Sequence, residues 1–108
     1  MTENITYLGL DKLDTFEANL LKQLCEKNFT KILRDLNKFQ EINLNATLKV
    51  NIKTINSEGK QKNYLINANV TSTTGNFNVE ESDWDLARTT HKVFDNFSNL
   101  INHKLKLK

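Results

Sequence analysis

The sequence contains one cysteine, three glycines and no proline. A single thiol, Cys25, excludes a disulfide framework and a cysteine-based zinc site. Low-complexity tracts are absent, and no internal repeat is visible. No run approaches the roughly 18 apolar residues that a membrane-spanning helix needs, and the first residues lack the basic-then-apolar pattern of a secretory signal. Catalytic signatures are missing too: no glycine-rich phosphate loop, no G-x-S-x-G and no H-E-x-x-H. The D-x-D-x-D-G loop of a calcium site is also missing. These absences lead us to expect a soluble, cytoplasmic, non-enzymatic domain without cofactor, metal or small-molecule substrate.

What is present is a chain of 108 residues, 38% hydrophobic and 26% charged, with apolar residues spread along its whole length. That suits one domain over residues 1–108 with a single two-layer core. The net charge of +2 is small, but its distribution is uneven. Lys27 to Lys38 holds four bases and one acid, and Leu86 to the end holds five bases and one acid. Between them Glu80, Glu81, Asp83 and Asp85 form an acidic block. Such asymmetry can create a local basic surface on a nearly neutral protein. Five Asn-X-Ser/Thr triplets, among them those at Asn45, Asn69 and Asn96, follow from the many asparagines and carry no secretion signal with them.

Periodicity predicts the elements. Asn4 to Leu8 reads as a strand with Ile5 and Tyr7 on one face. Asp11 or Asp14 then caps a helix to about Asn37, with Ala18, Leu21, Cys25, Phe29, Ile32 and Leu36 as its buried stripe. Lys27, Lys31, Arg34 and Lys38 keep the same rhythm two residues out of phase, about 200° around the helix, and so point away from the core. Ile42, Leu44, Ala46, Leu48, Val50 and Ile52 alternate with polar residues as a half-buried strand. After a turn at Asn56 to Gly59 comes a second strand, with Tyr64, Ile66, Ala68 and Val70 inward. After another at Thr73 to Asn76 comes a short third one, marked by Phe77 and Val79. Ser82 is the expected cap of a closing helix whose core stripe is Leu86 or Ala87, Thr90, Phe94, Phe97, Ile101 and Leu105. Arg88, Lys92, Asn99, His103 and Lys106 lie on its other side.

The resulting order is β-α-β-β-β-α, an α+β fold with two helices packed on one face of a four-stranded sheet. Cys25 reads as a buried, inert thiol, and His91 and His103 as surface histidines without metal-binding companions. Trp84, at the mouth of the last helix, is expected to pack over neighbouring strand ends. The two basic stripes are the remaining candidates for function. If about six of their groups meet RNA phosphates, the logarithmic salt slope is roughly −4 to −5. The sheet shows no paired exposed aromatics for base stacking, so contact by backbone and shape suits it better.

Several segments, in order and spacing, resemble the ribosome hibernation promoting factors, also called ribosome-associated inhibitor or sigma-54 modulation proteins. They are Asn4-Ile5-Thr6, Phe29-Thr30-Lys31-Ile32, Ala46-Thr47-Leu48-Lys49-Val50, Asp85-Leu86, Val93-Phe94-Asp95-Asn96-Phe97, Leu100-Ile101 and His103-Lys104. Ala87 stands where the family usually has an aromatic, and Asn96 and Asn99 stand where it commonly has lysine or arginine. The resemblance implies a double-stranded-RNA-binding-domain-like core that binds the small ribosomal subunit and its rRNA in the mRNA and tRNA channel, blocking translation and protecting idle ribosomes. It implies phosphate contacts from Lys27, Lys31, Arg34 and Lys38 and from Arg88, Lys92, His103, Lys104 and Lys106. The C-terminal dimerisation domain of long family members has no counterpart in the sequence, and a monomer is expected. Two other readings stay open: a general double-stranded RNA binder, and a protein-interaction module using a sheet edge or Trp84.

Overall fold

The computed structural model describes residues 4–37, 46–58, 61–72 and 75–106. In chain order the elements are β1 (Asn4–Leu8), a 3-10 turn (Leu10–Lys12), α1 (Thr15–Asn37), β2 (Thr47–Glu58), β3 (Gln61–Ser72), β4 (Gly75–Asp83) and α2 (Leu86–Lys106). The strands lie side by side in the order β1-β2-β3-β4, with β1 parallel to β2 and the other pairs antiparallel. A parallel pair needs a long crossover, which α1 supplies, while β2, β3 and β4 follow one another as hairpins. This is the β-α-β-β-β-α arrangement expected from the sequence.

Period-two patterning decides which sheet face is covered. Leu48, Val50 and Ile52 of β2 are buried, as are Tyr64, Ile66, Ala68 and Val70 of β3 and Phe77 and Val79 of β4. Cross-strand register aligns them in rows, one of Ile5, Leu48, Val70 and Phe77 and the next of Tyr7, Val50, Ala68 and Val79. Onto these rows α1 lays Leu21, Cys25, Phe29 and Ile32, and α2 lays Leu86, Val93, Phe94, Phe97 and Ile101. The Phe94 and Phe97 rings meet at a tilt, with centroids 5.8 Å apart. Each large side chain in this layer stabilises the fold by about 1.5–3 kcal/mol relative to exposure. Ile42, Leu44 and the side chains of Leu36 and Leu105, also expected in the core, lie outside the described residues.

The helix starts show how local chemistry sets the boundaries. Asp14, not Asp11, caps α1: the Glu17 N–H donates to Asp14 Oδ1 at 2.8 Å, and the Asp14 N–H donates back to Glu17 Oε1 at 3.1 Å. This reciprocal capping box satisfies two donors that a bare helix end leaves open. Ser82 is not the cap of α2. It lies in β4, which stays paired to β3 as far as Asp83 opposite Tyr64, leaving Trp84 and Asp85 to make the turn. Asp85 caps α2 instead, accepting the Arg88 N–H at 3.0 Å. The buried hydroxyls of Thr89 and Thr90 donate to the carbonyls of Asp85 and Leu86, so neither is left unsatisfied.

Two expected turns are shorter than their composition suggested. Asn56 to Glu58 belong to β2, where Glu58 pairs with Gln61, and Asn76 belongs to β4, where it pairs with Thr71. Ladder pairing outweighs the turn preference of Asn76, whereas Asn56 and Ser57 fall in a register irregularity between Ile55 and Glu58. Gly59, Thr73 and Thr74 lie outside the described residues.

Candidate nucleic-acid interface

Lys27, Lys31 and Arg34 are all exposed on α1, opposite the buried stripe of Cys25, Phe29 and Ile32. None of the three has an ion-pair partner among the described residues. Their spacing is the reason: steps of four and three residues return to nearly the same angle on a helix turning 100° per residue. At 1.5 Å per residue the stripe begins about 18 Å along the helix and extends roughly 10 Å further. Arg34 falls in the last turn of α1, where the helix dipole favours a cation. Lys38 lies outside the described residues.

The stripe expected on α2 is changed by its surroundings. Along β4 the inward positions run Phe77, Val79, Glu81, Asp83, so the alternation that buries two apolar residues then aims two carboxylates at α2. Asp83 takes both bases of the first turns of α2, Lys92 at 2.9 Å and Arg88 at 3.3 Å. Lys92 Nζ also donates to the Ser82 carbonyl at 3.3 Å. The hydrogen bond from Lys92 holds the Asp83 carboxyl below the usual carboxylate range against the effect of desolvation, helped by the Trp84 N–H and the charge of Arg88. Glu81 accepts a hydrogen bond from the Asn96 amide. Arg88 and Lys92 therefore share one carboxylate that offsets half of their charge, unlike the α1 bases. Further along, His103 is exposed. Lys104 and Lys106 fall in the last turns of α2, and their side chains lie outside the described residues.

The opposite end of the molecule is acidic. Glu17, in the first turn of α1, accepts hydrogen bonds from the Tyr64 hydroxyl and from Lys62, the latter at 3.2 Å. Tyr64 lies opposite Asp83 in the sheet, so both helices begin at this end, with Asp14, Glu17, Asp83 and Asp85 close together. Burial works to raise the Glu17 pKa, but the Tyr64 hydroxyl, the Asp14 N–H and Lys62 together hold it below its ordinary value. The helix dipoles favour acids here and bases at the far end, so the molecule is polarised along its helices.

Glu81 and Asp83 stood out in the sequence as part of an acidic block, but their partners on α2 did not, because these are set by strand-to-helix packing. Trp84, expected to pack over strand ends, is 47% exposed, and Phe16, not singled out in the sequence, is 75% exposed. Cys25 is buried, and burial, with the nearby Glu26 charge, pushes its thiol up to about 12, which suits an inert core residue. No group of three or more His, Cys, Asp or Glu side chains among the described residues is arranged to hold a metal ion. No helix among them is long and apolar enough to cross a membrane.

A mixed four-stranded sheet with two helices on one face is a double-stranded-RNA-binding-domain-like topology. Among solved structures, the N-terminal domain of Protein Y from Thermus thermophilus shares this fold, with a TM-score of 0.56 at 18% sequence identity. The match covers 95% of this chain and 98% of that one. No protein-family model matches the chain, and no curated protein does.

Proposed function

We propose that this protein is a non-enzymatic, ribosome-associated RNA-binding domain that acts as a hibernation factor. It occupies the mRNA and tRNA channel of the small ribosomal subunit, contacts the rRNA there and blocks translation while the ribosome is idle. The observation that carries this reading is the stripe of Lys27, Lys31 and Arg34, exposed and without carboxylate partners among the described residues, on a fold like that of the Protein Y domain. Protein Y belongs to the hibernation family that the sequence resembles. Phosphate contacts supply most of the affinity of such a surface, and A-form RNA is read mainly by its backbone and shape. Lys38, His103, Lys104 and Lys106 extend the contact at the ends of the two helices. Arg88 and Lys92 join it only where phosphate displaces Asp83. With about four free cations meeting phosphate, the salt slope is roughly −3 to −4, shallower than the uncorrected stripes imply.

The test is co-sedimentation with purified small subunits across a salt series, with mRNA and tRNA as competitors and free RNA duplex as the comparison. Salt-sensitive binding that mRNA or tRNA weakens is the expected result. Absence of binding at low salt overturns the proposal. Equal binding to free duplex would replace it with a general double-stranded RNA binder.

A further inference from the structure

The outer edge of β4 from Asn78 to Glu81 pairs with no strand among the described residues. Alongside it, β4 and α2 border an open groove of about 560 Å³ whose lining includes Val79, Glu80, Glu81, Asn96, Leu100 and His103. Leu100 is 40% exposed, an apolar side chain without full cover, while Glu80 stands exposed on the rim. Among the described residues, no lysine or arginine lines the groove. Because α2 packs on β3 and β4 and also against α1, it stands between this groove and the α1 bases.

We propose that this edge and groove bind a basic extended peptide by strand addition. An incoming strand takes the backbone hydrogen bonds that the β4 edge offers, and its side chains alternate between the groove and solvent. An apolar residue of the peptide seats against Leu100 on the groove face, and the alternating lysines or arginines fall on the other face, beside Glu80. Charge selects this occupant over two others. A second copy paired through β4 would gather the Glu80 and Glu81 carboxylates of both chains, and like charges on adjoining strands are destabilising. The same carboxylates repel RNA phosphates. The site is separate from the α1 surface, and its lining shares His103 with the RNA contact proposed above.

The probe is a short synthetic peptide alternating lysine and valine, titrated into the isotope-labelled protein and followed by NMR. Its counterpart alternating glutamate and valine is the control. The expected result is shift changes at Asn78 to Glu81 and at Leu100, with slowed hydrogen exchange at alternate β4 amides, for the basic peptide only. Leu100→Asp and, separately, Glu80→Lys should each weaken binding about tenfold, the scale of a lost interface anchor, with unchanged circular dichroism. The variant with Lys27, Lys31 and Arg34 changed to alanine should bind the peptide as the wild type does. Shifts spread over Asp14, Glu17 and Asp85 without slowed exchange would overturn the proposal by showing charge attraction alone. Absence of binding would overturn it too, as would protection of β4 that grows with protein concentration and needs no peptide.

Discussion

Lys92 holds its ammonium 2.9 Å from Asp83, the last residue of β4, across the turn that leads into α2. Arg88 reaches the same carboxylate from one turn earlier on the helix, at 3.3 Å. Exposed pairs of this kind add little to stability. Their effect is on the electrostatic surface, because one carboxylate engages two of the bases that the family resemblance assigns to RNA and offsets one of their two positive charges. Asp83 decides how much of α2 is basic.

Replacing Asp83 should therefore strengthen RNA binding. Asp83→Asn keeps an oxygen for the Trp84 and Asp85 N–H groups, which Asp83 Oδ1 accepts at 2.7 and 3.3 Å, while releasing Arg88 and Lys92. If both bases then meet phosphate, the salt slope steepens by about 1.5–2, and low-salt affinity rises severalfold. Fluorescence anisotropy with labelled RNA across a salt series measures both. An unchanged slope would place the start of α2 outside the contact.

The contrast between α1 and α2 marks how far the sequence could be read. Tyr64, Ile66, Ala68 and Val70 are inward as their alternation required, since a period of two leaves one choice of face. Lys27, Lys31 and Arg34 are exposed because a helix with one apolar stripe turns the opposite positions to water. Boundaries were less legible. Ser82 and Asp85 both suit a cap, and the length of β4 pairing decided between them. The fate of Arg88 and Lys92 was hidden further still, because it depends on which face of β4 Asp83 occupies once the sheet has formed. Helix periodicity alone carries no information about a neighbouring strand.

Gly9 links β1 to the 3-10 turn with a φ of 89°, a left-handed conformation that costs glycine little. A Cβ there would meet the Ile52 carbonyl oxygen at 2.2 Å, a backbone atom that cannot swing aside. Gly9→Ala combines backbone strain with this clash and should destabilise the fold by about 2–3 kcal/mol or more. A lowered urea midpoint with an unchanged slope would show it. A variant as stable as the wild type would mean that β1 shifts away from β2 at little cost.

The contact between Glu17 and Tyr64 should shape stability at both ends of the pH scale. Glu17 has its pKa lowered from 4.5, so its contribution is present above that value and lost as pH falls through the folded-state pKa. Tyr64 behaves oppositely. Burial first, then the hydrogen bond to Glu17 and the charges of Glu17, Asp14 and Asp85, raise it from 10.0 to about 12. Its contribution is present below pH 10 and lost as pH rises toward 12. Tyr64→Phe should weaken the acid-side loss and remove the tyrosine's share of the alkaline one. Urea unfolding of both proteins from acid to alkaline pH checks this, and parallel curves would show that the contact does not couple to folding.

The α1 stripe yields the sharpest separation of binding from folding. Lys27, Lys31 and Arg34 are exposed, face away from the core and hold no ion pair among the described residues, so changing all three to alanine leaves the buried layer intact. Alanine is also the best helix former, so thermal stability should stay the same or rise slightly. Binding should behave differently. If each base neutralises one phosphate, the salt slope falls in magnitude by about 2–3, and affinity for the small subunit at physiological salt drops by one to two orders of magnitude or so. Single substitutions should each reduce the slope by roughly 1, since phosphate contacts act nearly independently. Co-sedimentation and a thermal melt on the same preparations separate the two effects. Loss of binding with an unchanged melt would assign the phosphate contact to α1, whereas retained binding would transfer it to the ends of the helices around His103.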